Sequence, residues 1–330
     1  MAALHAVRSL RTQQAGQRGA ALLLAMMILA LVTTLAAGMV WHQRRAVQVE
    51  AAERARVQAG WVLRGALDWS RLIVREDLRA AQRRAHFYTW GRDAWGTPLA
   101  EVSLSSFLAA DKDNNADAGL DAAISGGITD AQGKFNLRGL VDGAGKIVPL
   151  QVQGLQRLCD LLGAPGDLAA RVAEVLSKSL ALQSDSDARG PPIRPDKLLD
   201  LSWQGLNVQT LNRLAPYVEL LPLVTPVNVN TAPREVLVAA IDGLDVGTAE
   251  RLVQSRQRAP FETLKAVRSA LGDNITVDET RVGVSSAWFE VAGQLRLNER
   301  VVEERSLVQR DGDRVVVRRR ERHSFEAAPR

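Results

Sequence analysis

Two acidic residues in a polar loop are the only pattern in this sequence with the character of a metal site. Asp185 and Asp187 stand two residues apart in segment 184–195, SDSDARGPPIRP. Calcium sites combine several carboxylates with carbonyl oxygens, so these two acids are calcium candidates. Two solvated acids in a surface loop explain the same pattern equally simply. No other cofactor is expected.

Cysteine and histidine offer little further chemistry. The single cysteine, Cys159, excludes a disulfide framework within one chain and a multi-cysteine zinc or iron–sulfur site. It stands in an apolar helical pattern, which favours a buried structural thiol. The four histidines are far apart, and no arrangement of nucleophile and base or of paired carboxylates is present. We therefore predict no catalytic residues and a protein that is not an enzyme.

A glycine-flanked turn at 243–247 separates two predicted helices within segment 226–266. Asn230 or Thr231 is a suitable residue to cap the first helix. The unit resembles a helix-hairpin-helix, which in many proteins binds the DNA backbone through its glycine amides. Asp245 stands between the two glycines here and would repel phosphate. A protein-packing unit is thus favoured, and a membrane-tethered DNA-binding protein is the alternative.

The charge distribution gives the DNA-binding alternative little support. The chain has 42 Lys and Arg against 37 Asp and Glu, a net charge of +5 over 330 residues. Part of the excess lies in the first 19 residues and part in the basic tail around Arg318–Arg322. The bulk of the protein is close to neutral, so overall charge does not indicate a polyanion ligand.

An uncharged apolar run extends from Ala20 to Val40. As a helix, these residues would span about 32 Å, close to the hydrocarbon thickness of a bilayer. The apolar region of a secretory signal peptide is shorter, and a buried core helix would carry more polar residues. The run therefore predicts a transmembrane helix at 20–40. Arginines flank both of its ends, so the positive-inside rule gives no orientation.

Residues 41–85 continue with good helix formers and without proline. They predict one helix from Ala20 to about Ala85, with a membrane anchor followed by a separate amphipathic helix as the alternative. The helix is expected to pack on the soluble domain through an apolar stripe. The members of this predicted stripe are Val57, Trp61, Trp69, Leu72 and Ile73.

Arg18 and Gly19 stand directly before the apolar run. This junction resembles the type IV prepilin processing site, which implies cleavage between Gly19 and Ala20. The fifth residue of the mature chain would then be Leu24, where most members of that family carry Glu. A carboxylate in lipid is costly unless it is paired. In that family the Glu pairs with the terminal amine of the subunit ahead, so an apolar residue suits a subunit with none ahead.

The soluble region alternates between strand and helix character. Segment 124–140 predicts short strands joined by tight turns, and Gly143–Lys146 predicts a further turn. From Leu150 the apolar spacing becomes helical, and residues 275–322 return to alternating strand patterns. Strands on both sides of a helical block predict an α+β fold in which a helical domain is inserted into an antiparallel sheet.

The motifs together resemble minor pseudopilin K of the bacterial type II secretion system. They occur in the order of that family and extend over nearly the whole chain. Besides Arg18-Gly19 and the apolar Leu24, they are Gly133–Leu137 (GKFNL), Pro226–Ala232 (PVNVNTA) and Pro260-Phe261.

This resemblance implies a long N-terminal transmembrane helix packed on a pilin-like antiparallel sheet. The implied domains are a prepilin leader at 1–19, the helix at 20–85, a discontinuous pilin-like α/β domain at 86–150 and 275–330, and an inserted all-helical domain at 151–274. Some family members bind calcium through an acidic run. This chain has Ala188–Pro191 near the comparable loop, which weakens the calcium expectation.

The resemblance also implies a function and its partners. It implies a minor pseudopilin that caps the tip of the periplasmic pseudopilus and helps to initiate its assembly for export across the outer membrane. The implied partners are minor pseudopilins I and J, pseudopilin H beneath them, the prepilin peptidase, the inner-membrane secretion platform and inner-membrane lipid. The soluble part would lie in the periplasm, after a single pass through the inner membrane.

Overall fold

A computed structural model of the protein describes residues 2–85, 87–103, 122–181, 194–272, 274–297 and 300–326. The chain divides into two compact units, Met1–Trp61 and Val62–Arg330. The first unit is helical, and the second contains the sheet and all the remaining helices that are described.

The N-terminal helix, α1, extends from Ala2 to Arg84. Helix-forming residues without proline explain its length, and Gly38, Gly60 and Gly65 do not interrupt it. Of the two alternatives, the structure has the continuous helix. Its apolar part is fully exposed in the isolated chain, and it is the one helix among the described residues that is long and apolar enough to cross a membrane.

The predicted packing stripe of α1 is largely wrong. Three of its members are more than half exposed: Val57, Trp61 and Trp69. In the second unit the buried positions are Leu63, Leu67 and Val74. These three are separated by four and seven residues and thus share one helix face. The predicted stripe lies on the wrong face because it followed Trp61 and Trp69, which are apolar but exposed. Ile73 is partly buried and does pack against the cluster that contains Leu67 and Val74.

Nine strands are described. In chain order they are β1 (Leu99–Ser103), β2 (Ala122–Asp130), β3 (Phe135–Asn136), β4 (Val218–Glu219), β5 (Val227–Asn228), β6 (Val282–Gly283), β7 (Trp288–Leu297), β8 (Arg300–Asp311) and β9 (Arg314–Glu326). Five of them form an antiparallel sheet in the order β1-β2-β7-β8-β9. The predicted short strands of 124–140 are instead one strand ending at Asp130, followed by 3-10 turns and the short β3.

The helical block lies between β2 and β7 in sequence, although every residue of β2 pairs with β7. Its helices are α2 (Pro149–Leu161), α3 (Leu168–Ala181), α4 (Val208–Leu214), α5 (Arg234–Ala240), α6 (Val246–Arg258) and α7 (Leu264–Leu271), with a 3-10 helix at Leu198–Gln204. The expected α+β fold, with a long helix and an antiparallel sheet, is confirmed. Cys159 of α2 is fully buried, and burial raises the pKa of its thiol to about 11, so the predicted structural thiol is confirmed.

The inserted block is not all-helical, which corrects the prediction. It contains β4 and β5, which pair in parallel with β3 and β6 respectively. Side chains on both sides of the block, such as Phe135 and Val282, join the same buried core as its helices. Short parallel pairs thus connect the block to the chain on either side of it. The exact domain boundaries at 150 and 275 stay predictions.

Within the second unit, α1 is held on the sheet by apolar and polar contacts. Leu67 and Val74 pack in one cluster with Trp95 and Phe289, whose rings meet edge to face at 5.1 Å. The guanidinium of Arg71 donates twice to the carbonyl oxygen of Val315, at 2.9 and 2.7 Å. These contacts fix the soluble end of the helix on one face of the sheet.

Candidate functional site

The PVNVNTA motif forms the junction between the sheet and the helical block. Its Asn228 is completely buried at the end of β5. The amide nitrogen Nδ2 lies within hydrogen-bond distance of three oxygens: Thr89 O at 3.1 Å, Asp130 Oδ2 at 2.8 Å and Ser286 Oγ at 2.9 Å. We call these residues, together with Thr231, the polar junction.

Asp130 is the acceptor at the centre of the polar junction. Its Oδ2 accepts hydrogen bonds from the hydroxyls of Thr231 and Ser286, both at 2.6 Å, and its Oδ1 accepts from Gln132 N at 2.8 Å. Burial raises the pKa of this carboxyl group, and the donated hydrogen bonds offset only part of that effect. Because Asp130 ends β2 while Asn228 belongs to the block, their contact ties the block to the sheet.

Asn230 and Thr231 do not cap a helix, which corrects the prediction. Helix α5 begins at Arg234 with Pro233 as its N-cap residue. Asn230 instead accepts from Phe261 N at 2.8 Å and donates to Phe261 O at 2.9 Å, so it replaces a strand partner. The hydroxyl of Thr231 donates a hydrogen bond to Asp130. The side chain of Asn230 therefore holds the Pro260-Phe261 segment, and that of Thr231 holds the end of β2.

The helix-hairpin-helix-like unit consists of α5, the turn 241–245 and α6. The carboxylate of Asp245 caps α6, accepting from Thr248 N at 2.9 Å and from the Thr248 hydroxyl at 2.6 Å. These bonds hold the pKa of Asp245 below its ordinary value. A carboxylate thus occupies the helix N-terminus at which a phosphate would bind. This geometry favours the protein-packing interpretation over DNA binding.

The predicted N-terminal site residues lie within α1. Gly19 and Ala20 are part of the helix, and Leu24 is 61% exposed in the isolated chain. Cleavage after Gly19 and the role of an apolar Leu24 stay predictions. The calcium candidates Asp185 and Asp187 lie outside the described residues. Within the described ranges, no group of three or more His, Cys, Asp or Glu side chains is placed to hold a metal ion.

Comparison with known proteins connects these features to one family. The family model for "Type II secretion system (T2SS), protein K" matches residues 227–285, which include Asn228, Asn230 and Phe261. Type II secretion system protein K of Pseudomonas aeruginosa is 28% identical over 314 residues, covering 86% of each chain. The protein of the same name from Pectobacterium carotovorum subsp. carotovorum is 28% identical over 337 residues, covering 92% of this chain and 96% of its own.

A solved structure shows the same fold. A chain of the GspK-GspI-GspJ complex from enterotoxigenic Escherichia coli superposes with a TM-score of 0.60 at 19% identity. The match covers 82% of this chain and 98% of that one.

The chain has a long apolar N-terminal helix, an antiparallel sheet and an inserted helical block, and the part of it that the structure describes contains one candidate membrane-spanning helix. The chain is similar over most of its length to type II secretion system protein K. The predicted class, a minor pseudopilin of type II secretion, is confirmed at this level. This similarity and the candidate membrane-spanning helix are consistent with a membrane-anchored protein.

Proposed function

We propose that this chain caps the tip of the periplasmic pseudopilus and helps to initiate its assembly for protein export across the outer membrane. Minor pseudopilins I and J are its proposed neighbours, with H beneath them. The homologous GspK in a complex with GspI and GspJ supports the first two partners. The alternative of a DNA-binding protein is disfavoured by the carboxylate cap of Asp245.

The apolar residue at position 24 is the observation that carries this proposal. No acidic residue occurs between Ala20 and Val40, so this part of α1 brings no carboxylate into lipid. A Glu in a following subunit is useful because the subunit ahead offers a terminal amine. The leading subunit has no such partner, and Leu24 avoids an unpaired charge there.

The inserted helical block supports the same position. The block is inserted in the sequence between β2 and β7, which pair directly with each other. It contributes a second buried core in addition to the one at the sheet. A subunit stacked ahead would have to accommodate that added volume. We therefore place this chain at the end of the filament, with nothing built beyond it.

The N-terminus is assigned to the cytoplasmic side of the inner membrane and the second unit to the periplasm. The prepilin peptidase would cut between Gly19 and Ala20 during maturation. The inner-membrane secretion platform would then receive the anchored chain through the helix at 20–40.

Leu24→Glu tests the proposed function. The variant places an unpaired carboxylate in the membrane-embedded helix, and the secreted amount of cargo is expected to fall at least about threefold. Secretion and cross-linking of the chain to pseudopilins I and J would be measured in cells that depend on the variant. Leu24→Ile is the matched apolar control and is expected to behave like the wild type. Normal cross-linking and secretion in Leu24→Glu would contradict the proposal.

A further inference from the structure

A cavity of about 280 Å³ lies between α3, residues 194–196, residues 220–222 and strands β8 and β9. Its apolar lining residues include Leu176, Leu180 and Leu221. Its basic lining residues include Arg138 and Arg194. None of the residues of the polar junction lines the cavity.

Two of the four arginines that line this cavity interact with other side chains. Arg319 pairs with Glu219 at 2.8 Å, and Arg318 donates to Gln309 at 2.8 Å. Among the described residues, by contrast, no side chain forms an ion pair or hydrogen bond with the guanidinium of Arg138 or of Arg194. The acid that lines the cavity, Asp196, also forms no ion pair with either of them.

Arg138 and Arg194 place two like charges in the lining of one cavity, together with apolar side chains. Arg138 is only partly exposed, and its pKa is lowered by burial first and by the charge of Arg194 second. An anion between the two groups would offset their repulsion and accept hydrogen bonds from both. Guanidinium groups bind carboxylates with paired, charge-assisted hydrogen bonds.

We propose that this cavity binds a carboxylate side chain from an acidic, apolar segment of a partner protein. Arg138 and Arg194 hold the carboxylate, and the leucine side chains of the lining contact the apolar residues beside it. The site goes beyond the tip-capping function and does not depend on Leu24. Asp185 and Asp187 of this chain are the competing source of a carboxylate. They belong to the segment that directly precedes Arg194 in the sequence.

The first test measures how each of the two arginines affects thermal stability when no peptide is bound. Thermal unfolding of the full chain in detergent would be compared for the wild type, Arg138→Gln and Arg194→Gln. Removing one of two like charges is expected to leave the unfolding midpoint unchanged or to raise it. A clear fall in either variant would show that the guanidinium has a structural partner, and it would overturn the proposal.

The second test measures binding. The probe is a fluorescent peptide of alternating Leu and Glu, and its matched control has Gln at each Glu position. The full chain is expected to bind the Glu peptide at least about tenfold more tightly than the Gln peptide, because a carboxylate makes charge-assisted hydrogen bonds. Arg138→Gln and Arg194→Gln are expected to abolish that difference. Arg64→Gln, which changes an exposed arginine outside the cavity, is expected to preserve it.

Three results would overturn the proposal. The two peptides could bind equally, or Arg64→Gln could lose as much affinity as the cavity variants. The Glu peptide could also bind only after Asp185→Asn and Asp187→Asn are introduced together, which would assign the cavity to the chain's own acids. Displacement of the peptide by sulfate at matched ionic strength is expected, since both are anions. Sulfate binding without peptide binding would reduce the site to an inorganic anion site and would contradict a protein partner.

Discussion

Asn228→Ala is expected to lower the free energy of unfolding of the second unit by about 3–5 kcal/mol. The substitution removes the donor that Asp130, Thr89 O and Ser286 share, and it also removes the acceptor of Asn230 N. All these groups are buried, so water cannot easily replace the lost amide. Urea unfolding of the full chain in detergent, followed by tryptophan fluorescence, would measure the change.

Asn212→Ala is the matched control for this experiment. Asn212 is exposed on α4 and makes no side-chain hydrogen bond within the described structure. Its substitution is expected to change the free energy of unfolding by less than about 0.5 kcal/mol. Equal effects of the two substitutions would show that the polar junction does not stabilise the fold.

Asn228→Asp adds a pH dependence to the same site. A second carboxyl group would then stand within hydrogen-bond distance of Asp130, whose pKa burial already raises. Two adjacent carboxyl groups share a proton, so the folded state would hold a proton that the unfolded state releases. Stability of the variant is therefore expected to fall as the pH rises above the ordinary carboxyl pKa of 3.8. A variant that loses no more stability than the wild type between pH 5 and 8 would contradict this account.

Asp77→Ala is expected to destabilise the attachment of α1 to the sheet by about 3–5 kcal/mol. Asp77 pairs at 2.5 Å with Arg310, whose side chain is only 8% exposed. Burial lowers the pKa of Arg310, and the charge of Asp77 counteracts that effect. The guanidinium also lies 4.5 Å from the ring centroid of Phe289. Without Asp77, the buried guanidinium would keep the Val74 carbonyl as a hydrogen-bond partner and the charges of Asp130 and Asp93, but no ion pair within the described structure.

The neighbouring acid provides the control for Asp77. Glu76 pairs with Arg79 at 2.8 Å, but both side chains are over 40% exposed, and such pairs contribute about 0–1 kcal/mol. Glu76→Ala is therefore expected to have little effect. The double substitution Asp77→Leu with Arg310→Met is expected to recover most of the loss, since it leaves no buried charge unpaired. Equal unfolding midpoints for Asp77→Ala and Glu76→Ala would refute the role of the buried pair.

Local patterns in the sequence were sufficient for the main elements of the fold. An uncharged run and a proline-free continuation predicted α1, and alternating patterns predicted β7, β8 and β9. The face of α1 that packs on the sheet was not predictable in the same way, because Trp69 has the apolar character of a core residue yet is exposed. The sheet selects the face that carries Leu67 and Val74, and that choice depends on tertiary contacts.

The polar junction shows the same limit. The sequence suggested Asn230 or Thr231 as a helix cap, and Asn228 stood out only as part of the PVNVNTA motif. Their partners come from distant segments: Thr89 precedes β1, Asp130 ends β2 and Ser286 precedes β7. Asp130 could be singled out in the sequence because it is a single acid at the end of an apolar strand. No local signal points to Thr89 or Ser286, since serine and threonine are common in loops.

Co-purification tests the central claim most directly. The full chain would be coexpressed with tagged minor pseudopilins I and J, extracted in mild detergent and recovered through the tag. We predict a stable complex of all three proteins, and Asn228→Ala should reduce its yield while Asn212→Ala should not. Recovery of pseudopilins I and J without this chain, under conditions in which the chain is folded and membrane-inserted, would contradict its place at the tip.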